Sequence, residues 1–246
     1  MAKVLNVEVV VVGGGPAGLT AAIALAGAGI ETALIARKPP ADHRTSALLA
    51  GSVAALETLG VWDACAGQAA PLRTLRIVDA TSRLIRAPEV RFTADEIGLD
   101  AFGQNIENRH LVAALDSRAA AVESLIRIEG EAVTVESRDS DVVVSTKDGA
   151  TVMARLVIGA DGRRSLCRAA AGIESVSRTY PQTALTFNLA HTRPHRDTST
   201  EFHTEQGPFT LVPLTGDRSS LVCVVGPTEA ERLQTLDEAE LNAEIE

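Results

Sequence analysis

A glycine-rich turn near the N-terminus constrains the fold of this chain more than any other feature. It reads Gly13-Gly14-Gly15-Pro16-Ala17-Gly18 and follows the β-branched run Val7 to Val12. Consecutive apolar positions suit a strand that is buried on both faces of a parallel sheet. Residues 16–28 carry apolar side chains at helical spacing, and residues 31–36 form a second apolar run. The sequence therefore predicts a β-α-β unit of about 30 residues.

The spacing of the glycines indicates what this turn binds. Gly13, Gly15 and Gly18 satisfy the G-x-G-x-x-G pattern between a strand and a helix. The first glycine permits the tight turn, the second lets a pyrophosphate approach the backbone, and the third lets the helix pack on the strand. Pro16 and Ala17 open the helix, whose free N–H groups and positive dipole end attract an anion. We therefore expect a dinucleotide here.

The acidic residue that usually completes this fingerprint is absent. An Asp or Glu is expected at the end of the second strand, but that strand ends Leu34-Ile35-Ala36-Arg37. Ala36 stands at the acid's position, and Arg37 is the first basic residue after it. Arg37 packs on an adenosine, recognises the 2′-phosphate of NADP, or is a solvated arginine at a loop entrance. The residues alone leave these three interpretations open.

Two later motifs point to a particular family. Asp161-Gly162 follows an apolar run and precedes a helix-like segment, with Ser165 and Arg168 at fixed offsets, which packing alone does not explain. Further motifs are Arg44-Thr45-Ser46-Ala47-Leu48, the segment Phe102 to Leu111 with Gln104 and Arg109, and Gly207-Pro208. Together they resemble the class A FAD-dependent aromatic monooxygenases of the p-hydroxybenzoate hydroxylase type, and most closely the ubiquinone-biosynthesis hydroxylases.

The resemblance implies a Rossmann-like α/β FAD-binding domain with an inserted, mostly antiparallel β-sheet domain for the substrate. It implies that Arg44 contacts the FAD phosphates, that Gln104 and Arg109 form a pair before a helix, and that Asp161 and Gly162 support both FAD and the nicotinamide donor. The expected activity is hydroxylation of a phenolic ring with NAD(P)H and O₂, with a polyprenylated phenol as the first choice of substrate. No catalytic side chain is named, because the cofactor supplies the difficult chemistry.

Three alternatives to this activity remain open from the sequence alone. A reductase of the same fold, similar to the geranylgeranyl reductases, shares the Asp-Gly turn without activating O₂. A plain NAD(P)-dependent dehydrogenase and a catalytically inactive nucleotide-binding fragment are the others. A third family fingerprint, similar to Gly-Asp-Ala-Ala-His, is missing, since Gly216-Asp217 precedes a strand and indicates a hairpin turn. The chain thus resembles about the first three-fifths of such an enzyme.

The sequence also predicts how the chain is divided. We expect an FAD-binding domain over 1–71 and 101–176 and a substrate domain over 72–100 and 177–246. The pattern predicts a helix over 47–59, and one acidic helix over 228–246. It also predicts two β segments within 72–90, whose apolar positions include Leu84 and Ile85.

Charge and composition restrict the partners. The formal net charge of −9 argues against nucleic acid, which requires a basic surface. Three widely spaced cysteines indicate neither a disulfide framework nor a zinc site, and Pro194 between His191 and His195 argues against a metal pair on a helix. The N-terminus lacks the pattern of a secretory signal. We expect a cytoplasmic protein whose contact with a membrane, if any, is peripheral to its inner face.

Overall fold

A computed structural model describes residues 4–38 and 40–245 of the chain, so that Met1–Lys3, Pro39 and Glu246 lie outside the described residues. The described residues form fifteen strands and six α-helices. The strands are β1 (Val4–Val12), β2 (Thr32–Ala36), β3 (Thr45–Leu49), β4 (Ala69–Leu72), β5 (Thr74–Asp79), β6 (Val90–Thr93), β7 (Gly103–Glu107), β8 (Leu125–Glu129), β9 (Ala132–Ser137), β10 (Val142–Thr146), β11 (Thr151–Gly159), β12 (Thr183–Ala190), β13 (Thr198–His203), β14 (Pro208–Leu214) and β15 (Arg218–Val225). The helices are α1 (Pro16–Gly27), α2 (Ala50–Thr58), α3 (Asn108–Ala120), α4 (Leu166–Ala170), α5 (Pro227–Thr235) and α6 (Glu238–Ile245).

The chain divides into two compact units. The first comprises Met1–Asp42, Ala54–Ala66 and Asn108–Val176, and the second comprises His43–Val53, Gly67–Glu107 and Ser177–Glu246. The sequence-based division assigns 43–53, 67–71 and 101–107 to the first domain, whereas these segments group with the second unit. The assignment of the two parts to FAD and to substrate stays a prediction.

The first unit is built on a six-stranded sheet with the order β8-β2-β1-β11-β10-β9. The strands β8, β2, β1 and β11 are parallel, and β10 and β9 continue the sheet antiparallel. Strand β1 is central and ends in four consecutive buried valines, Val9–Val12. A helix and a loop connect β1 to β2, so the predicted β-α-β unit is confirmed, and with it the α/β fold class.

Helix α1 packs on this sheet through one face. Its buried residues Leu19, Ala22, Ile23 and Ala26 recur at helical spacing. Burying a Leu or Ile side chain contributes about 1.5–3 kcal/mol, so the buried Leu19 and Ile23 stabilise the packing of α1 on the sheet. The helix also packs against α3. The start of α1 is therefore packed against the sheet.

The second unit contains the remaining sheets. A six-stranded sheet has the order β12-β15-β14-β13-β5-β6, and it is antiparallel except where β13 pairs with β5. A three-stranded antiparallel sheet, β3-β7-β4, belongs to the same unit. Helices α5 and α6 cover a core centred on Leu185, Leu221 and Cys223. The mostly antiparallel character that the sequence predicts is confirmed.

The predicted helix over 47–59 is wrong at its start. Residues up to Leu49 belong to β3, which pairs with β7 from Thr45 opposite Glu107 to Leu49 opposite Gly103. A Cβ atom on Gly103 would lie 1.9 Å from the carbonyl oxygen of Leu48, so the two backbones approach closely at this position. Strand pairing overrides the helical spacing here, and α2 begins only at Ala50.

The second predicted β segment within 72–90 is also wrong for Leu84 and Ile85. Both lie in the loop between β5 and β6. The Asp79 carboxylate accepts hydrogen bonds from the N–H groups of Thr81 and Ala87, and these bonds turn the chain away from the extended conformation. The alternation of apolar and polar residues carries no information about a hydrogen-bond acceptor such as the Asp79 carboxylate.

The predicted single helix over 228–246 is two helices. Leu236 is extended after α5, and Asp237 precedes α6. The Asp237 carboxylate accepts a hydrogen bond from the Glu240 N–H at 2.9 Å, and the Glu240 carboxylate accepts one from the Asp237 N–H at 3.1 Å. This reciprocal arrangement is a capping box, which starts a new helix. Within residues 4–38 and 40–245, no helix combines the length and apolar character that a membrane span requires.

Candidate active site

The glycine turn lies where three parallel strands of the first unit end side by side. Val12, the last residue of β1, is opposite Ile35 of β2 and Gly159 of β11. The Gly13 N–H donates to the Ile35 carbonyl at 2.9 Å, and the Ala160 N–H donates to the Val12 carbonyl at 2.8 Å. The carboxyl ends of parallel strands are where α/β sheets bind their ligands. The two motifs that the sequence singles out thus lie next to each other.

Two glycines of the turn are required by the fold itself. Gly13 has a φ of +119°, and a Cβ atom there would lie 2.2 Å from the carbonyl oxygen of Ala160. A Cβ atom on Gly18 would lie 1.9 Å from the carbonyl oxygen of Gly13. Both positions exclude any larger residue on steric grounds. These contacts explain the tight turn and the close packing of α1 that the fingerprint implies.

Gly15 differs from both, because nothing in the first unit requires a glycine there. Its backbone is extended, with φ −76° and ψ 176°, which any residue adopts. A Cβ atom would meet no other atom within 4 Å. Gly15 precedes α1 without a side-chain cap, and the first N–H groups of a helix have no partner within the helix. The open space therefore faces backbone donors suited to an anion.

Asp161 follows β11, and its two carboxylate oxygens have different surroundings. Its Oδ2 atom accepts a hydrogen bond from the backbone N–H of Cys167 at 3.0 Å, whereas Oδ1 is buried and has no partner among the described residues. Burial acts to raise the pKa of this carboxyl, but hydrogen bonds from Ser165 and from the Cys167 backbone outweigh it and leave the pKa below its ordinary value. Asp161 is thus an anion at neutral pH with one unsatisfied acceptor.

The turn around Asp161 is rigid. Gly162 has a φ of +84°, a conformation that favours glycine. The Ser165 hydroxyl caps α4 by accepting a hydrogen bond from the Arg168 N–H at 2.8 Å. Burial, aided by the neighbouring Asp161 charge, raises the pKa of the Cys167 thiol to about 11. Cys167 is therefore protonated at neutral pH and is unsuited to act as a nucleophile.

The remaining predicted site residues of the first unit lie at its surface. Arg37 follows β2 and forms an ion pair with Glu131 at 3.5 Å, with 77% of its side chain exposed. Such a pair contributes little to stability. Arg109 is exposed in the first turn of α3, where its N–H donates to the Asp42 carbonyl at 3.0 Å. The cofactor contacts of Arg37 and Arg109 stay predictions.

Arg44 and Gln104 belong to the second unit. Arg44 is exposed directly before β3, and Gln104 is half-buried in β7, opposite Leu48 of β3 and Pro71 of β4. The predicted Gln-Arg pair is therefore divided between a strand and the following helix. The roles of Arg44 and Gln104 toward FAD also stay predictions.

Sequence reasoning missed a buried ion pair in the second unit. The Glu107 side chain is 4% exposed and accepts a hydrogen bond from the Arg218 guanidinium at 3.2 Å. The Asn188 amide donates to the same carboxylate at 3.4 Å, and His43 Nδ1 lies 3.9 Å from it. A charged residue at the end of the otherwise uncharged β7 is the available signal. Its partner is 111 residues away, so spacing cannot identify it.

The family of the chain follows from a match to a family model. The model is described as an FAD binding domain, and it matches residues 6–246. The chain belongs to the FAD binding domain family. The match includes both the glycine turn and the Asp161 turn, and it identifies FAD as the cofactor. The open space at Gly15, before the free N–H groups of α1, is the feature that a bound dinucleotide would use.

Curated relatives confirm the resemblance that the motifs indicate. The chain is 35% identical over 247 residues to a ubiquinone hydroxylase, UbiL, of Rhodospirillum rubrum, covering 97% of this chain and 56% of that protein. It is 32% identical to 3-demethoxyubiquinol 3-hydroxylase of Escherichia coli, covering 97% of this chain and 62% of the relative. The FAD binding domain described here thus spans little more than half the length of these relatives.

Solved structures share the fold. A mutant of PqsL from P. aeruginosa superposes with a TM-score of 0.79 at 20% identity, covering 94% of this chain and 64% of that one. The flavin-dependent monooxygenase PieE, in complex with FAD and substrate, gives a TM-score of 0.71 at 23% identity, covering 91% and 43%. At these identities the likeness concerns the architecture alone.

Proposed function

We propose that this chain is the FAD-binding portion of a monooxygenase that hydroxylates a phenolic ring in ubiquinone biosynthesis, with NAD(P)H and O₂ as co-substrates. The single observation that carries the proposal is the extended, unobstructed Gly15 at the start of α1, in the turn whose Gly13 contacts Ala160. Open space alone does not indicate a ligand, since Gly27 has it too, but Gly15 directly precedes the free N–H groups of α1, where a diphosphate would approach the backbone. The ubiquinone hydroxylases among the relatives supply the substrate class.

The roles of the chain's own residues follow from their positions. The N–H groups at the start of α1 bind the diphosphate, and the positive end of the helix dipole favours its charge. The Asp161 carboxylate holds the turn after β11 in place through the Cys167 N–H, next to the glycine turn. When bound, the flavin supplies the redox chemistry and oxygen transfer, and the protein contributes position and exclusion of water.

The proposed substrate also bears on location. A polyprenylated phenol partitions into a bilayer, so the enzyme must meet it at a membrane surface. We infer a cytoplasmic protein in peripheral contact with the inner face of a membrane. O₂ and the phenol are its small-molecule partners.

The direct test begins with cofactor retention. The purified chain is incubated with FAD or with NAD⁺, desalted, and measured for bound nucleotide. We expect visible flavin absorbance at about one FAD per chain and no retained NAD⁺. Retention of NAD⁺ without FAD would favour a plain dehydrogenase and contradict the proposal.

The FAD-loaded chain is then supplied with NAD(P)H, O₂ and a 2-polyprenylphenol. We expect O₂ uptake that depends on the phenol, and a product heavier by one oxygen atom in mass spectrometry. NAD(P)H oxidation that instead gives a product heavier by two hydrogen atoms and no O₂ uptake would support a reductase of the same fold.

A further inference from the structure

The hairpin of β5 and β6 ends in a loop whose large apolar side chains are left uncovered. Leu84 is 100% exposed and Ile85 is 87% exposed. Strand β6 is the last strand of its sheet, so this hairpin lies at an edge of the second unit. Single exposed apolar residues are ordinary on protein surfaces, but two adjacent, fully exposed aliphatic side chains in one loop call for a reason.

The exposure of this pair does not come from a loosely held loop. The Asp79 carboxylate accepts hydrogen bonds from the Thr81 N–H at 3.1 Å, the Thr81 hydroxyl at 2.7 Å and the Ala87 N–H at 2.9 Å. The Glu205 carboxylate accepts from the hydroxyl of Ser82 at 2.7 Å and from its backbone N–H. Both sides of the loop are therefore fixed, and Leu84 and Ile85 are held outward.

Two arginines flank the apolar pair in the sequence Arg83-Leu84-Ile85-Arg86, which we call the hairpin tip. The chain as a whole carries a net charge of −9, so adjacent cations beside exposed apolar residues depart from its average surface. Arginine pairs with phosphate through two N–H groups, and its stem lies along apolar surface while the head stays in the polar layer. The tip thus combines apolar side chains with phosphate-binding cations.

We propose that the hairpin tip docks this protein on an anionic lipid bilayer. Leu84 and Ile85 enter the boundary between headgroups and acyl chains, and Arg83 and Arg86 contact lipid phosphates. The inference rests on the proposed function, because a polyprenylated substrate resides in such a bilayer. It goes further by naming the residues that make the contact.

The size of the tip favours a bilayer over a protein partner. A stable protein interface buries about 800 Å² on each partner and involves about 20–30 residues. Two aliphatic side chains in a loop supply far less. Exposed apolar surface continues along the hairpin strands in Ile77, Val90 and Phe92, which are 37–46% exposed. A bilayer accommodates such a narrow, protruding element without a complementary surface.

The test is flotation of the whole chain with lipid vesicles. Vesicles of phosphatidylcholine alone are compared with vesicles that also contain phosphatidylglycerol. We expect clear binding to the anionic vesicles that weakens in high salt. The variant Leu84→Ser/Ile85→Ser should lose about tenfold or more of this affinity. Arg83→Gln/Arg86→Gln should lose more than tenfold for anionic vesicles only, since each cation contributes about fivefold, which corresponds to ~1 kcal/mol.

A matched control removes two exposed apolar side chains elsewhere. Ile173 and Val176 are 61% and 102% exposed in the first unit. Ile173→Ser/Val176→Ser should bind anionic vesicles like the unchanged chain. Equal binding by the tip variants, or no binding of the unchanged chain to anionic vesicles, would overturn the proposal.

Two further measurements distinguish lipid binding from a protein contact and from a defect in FAD binding. If the tip variants alter the oligomeric mass in light scattering while vesicle binding is unchanged, the tip is a protein contact and the proposal fails. FAD retention is measured on every variant and should not change, because the tip contains none of the residues that are predicted to bind FAD. An unchanged chain that binds vesicles but not FAD would refute the proposed function and leave the lipid-binding result standing on its own.

Discussion

The glycine turn of the first unit and the hairpin tip of the second contain residues that depart from expectation in opposite directions. At Gly15 the fold would accommodate a larger residue, since the backbone is extended and the neighbouring space is open. At Leu84 and Ile85 the side chains are larger and more apolar than an exposed loop requires. In each case the contacts within the chain leave the residue type unexplained.

The difference teaches what kind of ligand each region suits. The absence of a side chain beside backbone N–H groups suits a ligand that approaches the backbone closely and accepts directed hydrogen bonds, such as a diphosphate. Surplus apolar area beside arginines suits a ligand without fixed shape, such as a bilayer surface. Gly13 and Gly18 differ from Gly15 within the same turn, because steric contacts explain why they are glycines.

The largest expected effect is a loss of stability at Gly13, which tests whether Gly13 and Gly15 differ in what the fold requires of them. Gly13→Ala introduces a Cβ atom at 2.2 Å from the Ala160 carbonyl oxygen and a residue with a φ of +119°. We expect the free energy of unfolding to fall by about 3 kcal/mol or more, because strain and overlap add. Urea denaturation measures it.

Gly15→Ala is the matched control for this loss. It should lower the free energy of unfolding by no more than about 1 kcal/mol, since its Cβ atom meets open space and alanine is only a poorer N-cap than glycine. Similar losses for the two variants would mean that the fold requires both glycines, and the argument from Gly15 would fail.

A smaller effect is expected at the loop that carries the hairpin tip, where it tests whether the Asp79 carboxylate holds the loop in place. Hydrogen bonds from Thr81 and Ala87 lower the pKa of Asp79 to about 2. A depressed pKa means that these bonds are fully present above the ordinary pKa of about 4 and are lost as the pH falls through about 2. Asp79→Asn weakens the same bonds at neutral pH. We expect faster tryptic cleavage after Arg83 and Arg86 in that variant, followed by mass spectrometry.

Asp148→Asn provides a control for this loop experiment, because Asp148 lies in the β10–β11 turn of the other unit. It should leave cleavage after Arg83 and Arg86 unchanged. An Asp79→Asn chain that is cleaved at the same rate as the unchanged chain would show that the carboxylate does not hold the loop.

Much of the first unit could be predicted because its signals are local. The valines of β1, the glycine spacing and the Asp161-Gly162 pair lie within short stretches, and parallel strands bring their carboxyl ends together by rule. The adjacency of Gly13 and Ala160 is therefore implied by two motifs that are far apart in sequence. The strand order beyond β1 and its neighbours is not implied by any local pattern.

The second unit resisted prediction where contacts are distant or are made by single side chains. Leu48 and Leu49 form a strand only because β7 lies beside them, more than 50 residues later in the chain. The Asp79 carboxylate ends a strand that the alternation would continue. Glu107 meets Arg218 across the interior of the unit. None of these partners can be inferred from periodicity, which reports only the nearest neighbours of a residue.

The most direct measurement of the central claim compares FAD retention by two valine variants of the same helix region. Neither a Cβ atom on Gly15 nor one on Gly27, at the far end of α1, meets another atom within 4 Å. We expect Gly27→Val to retain FAD after desalting like the unchanged chain, and Gly15→Val to lose it while keeping the same circular dichroism spectrum. A folded Gly15→Val chain that keeps its full complement of FAD would contradict the claim that a diphosphate occupies this turn.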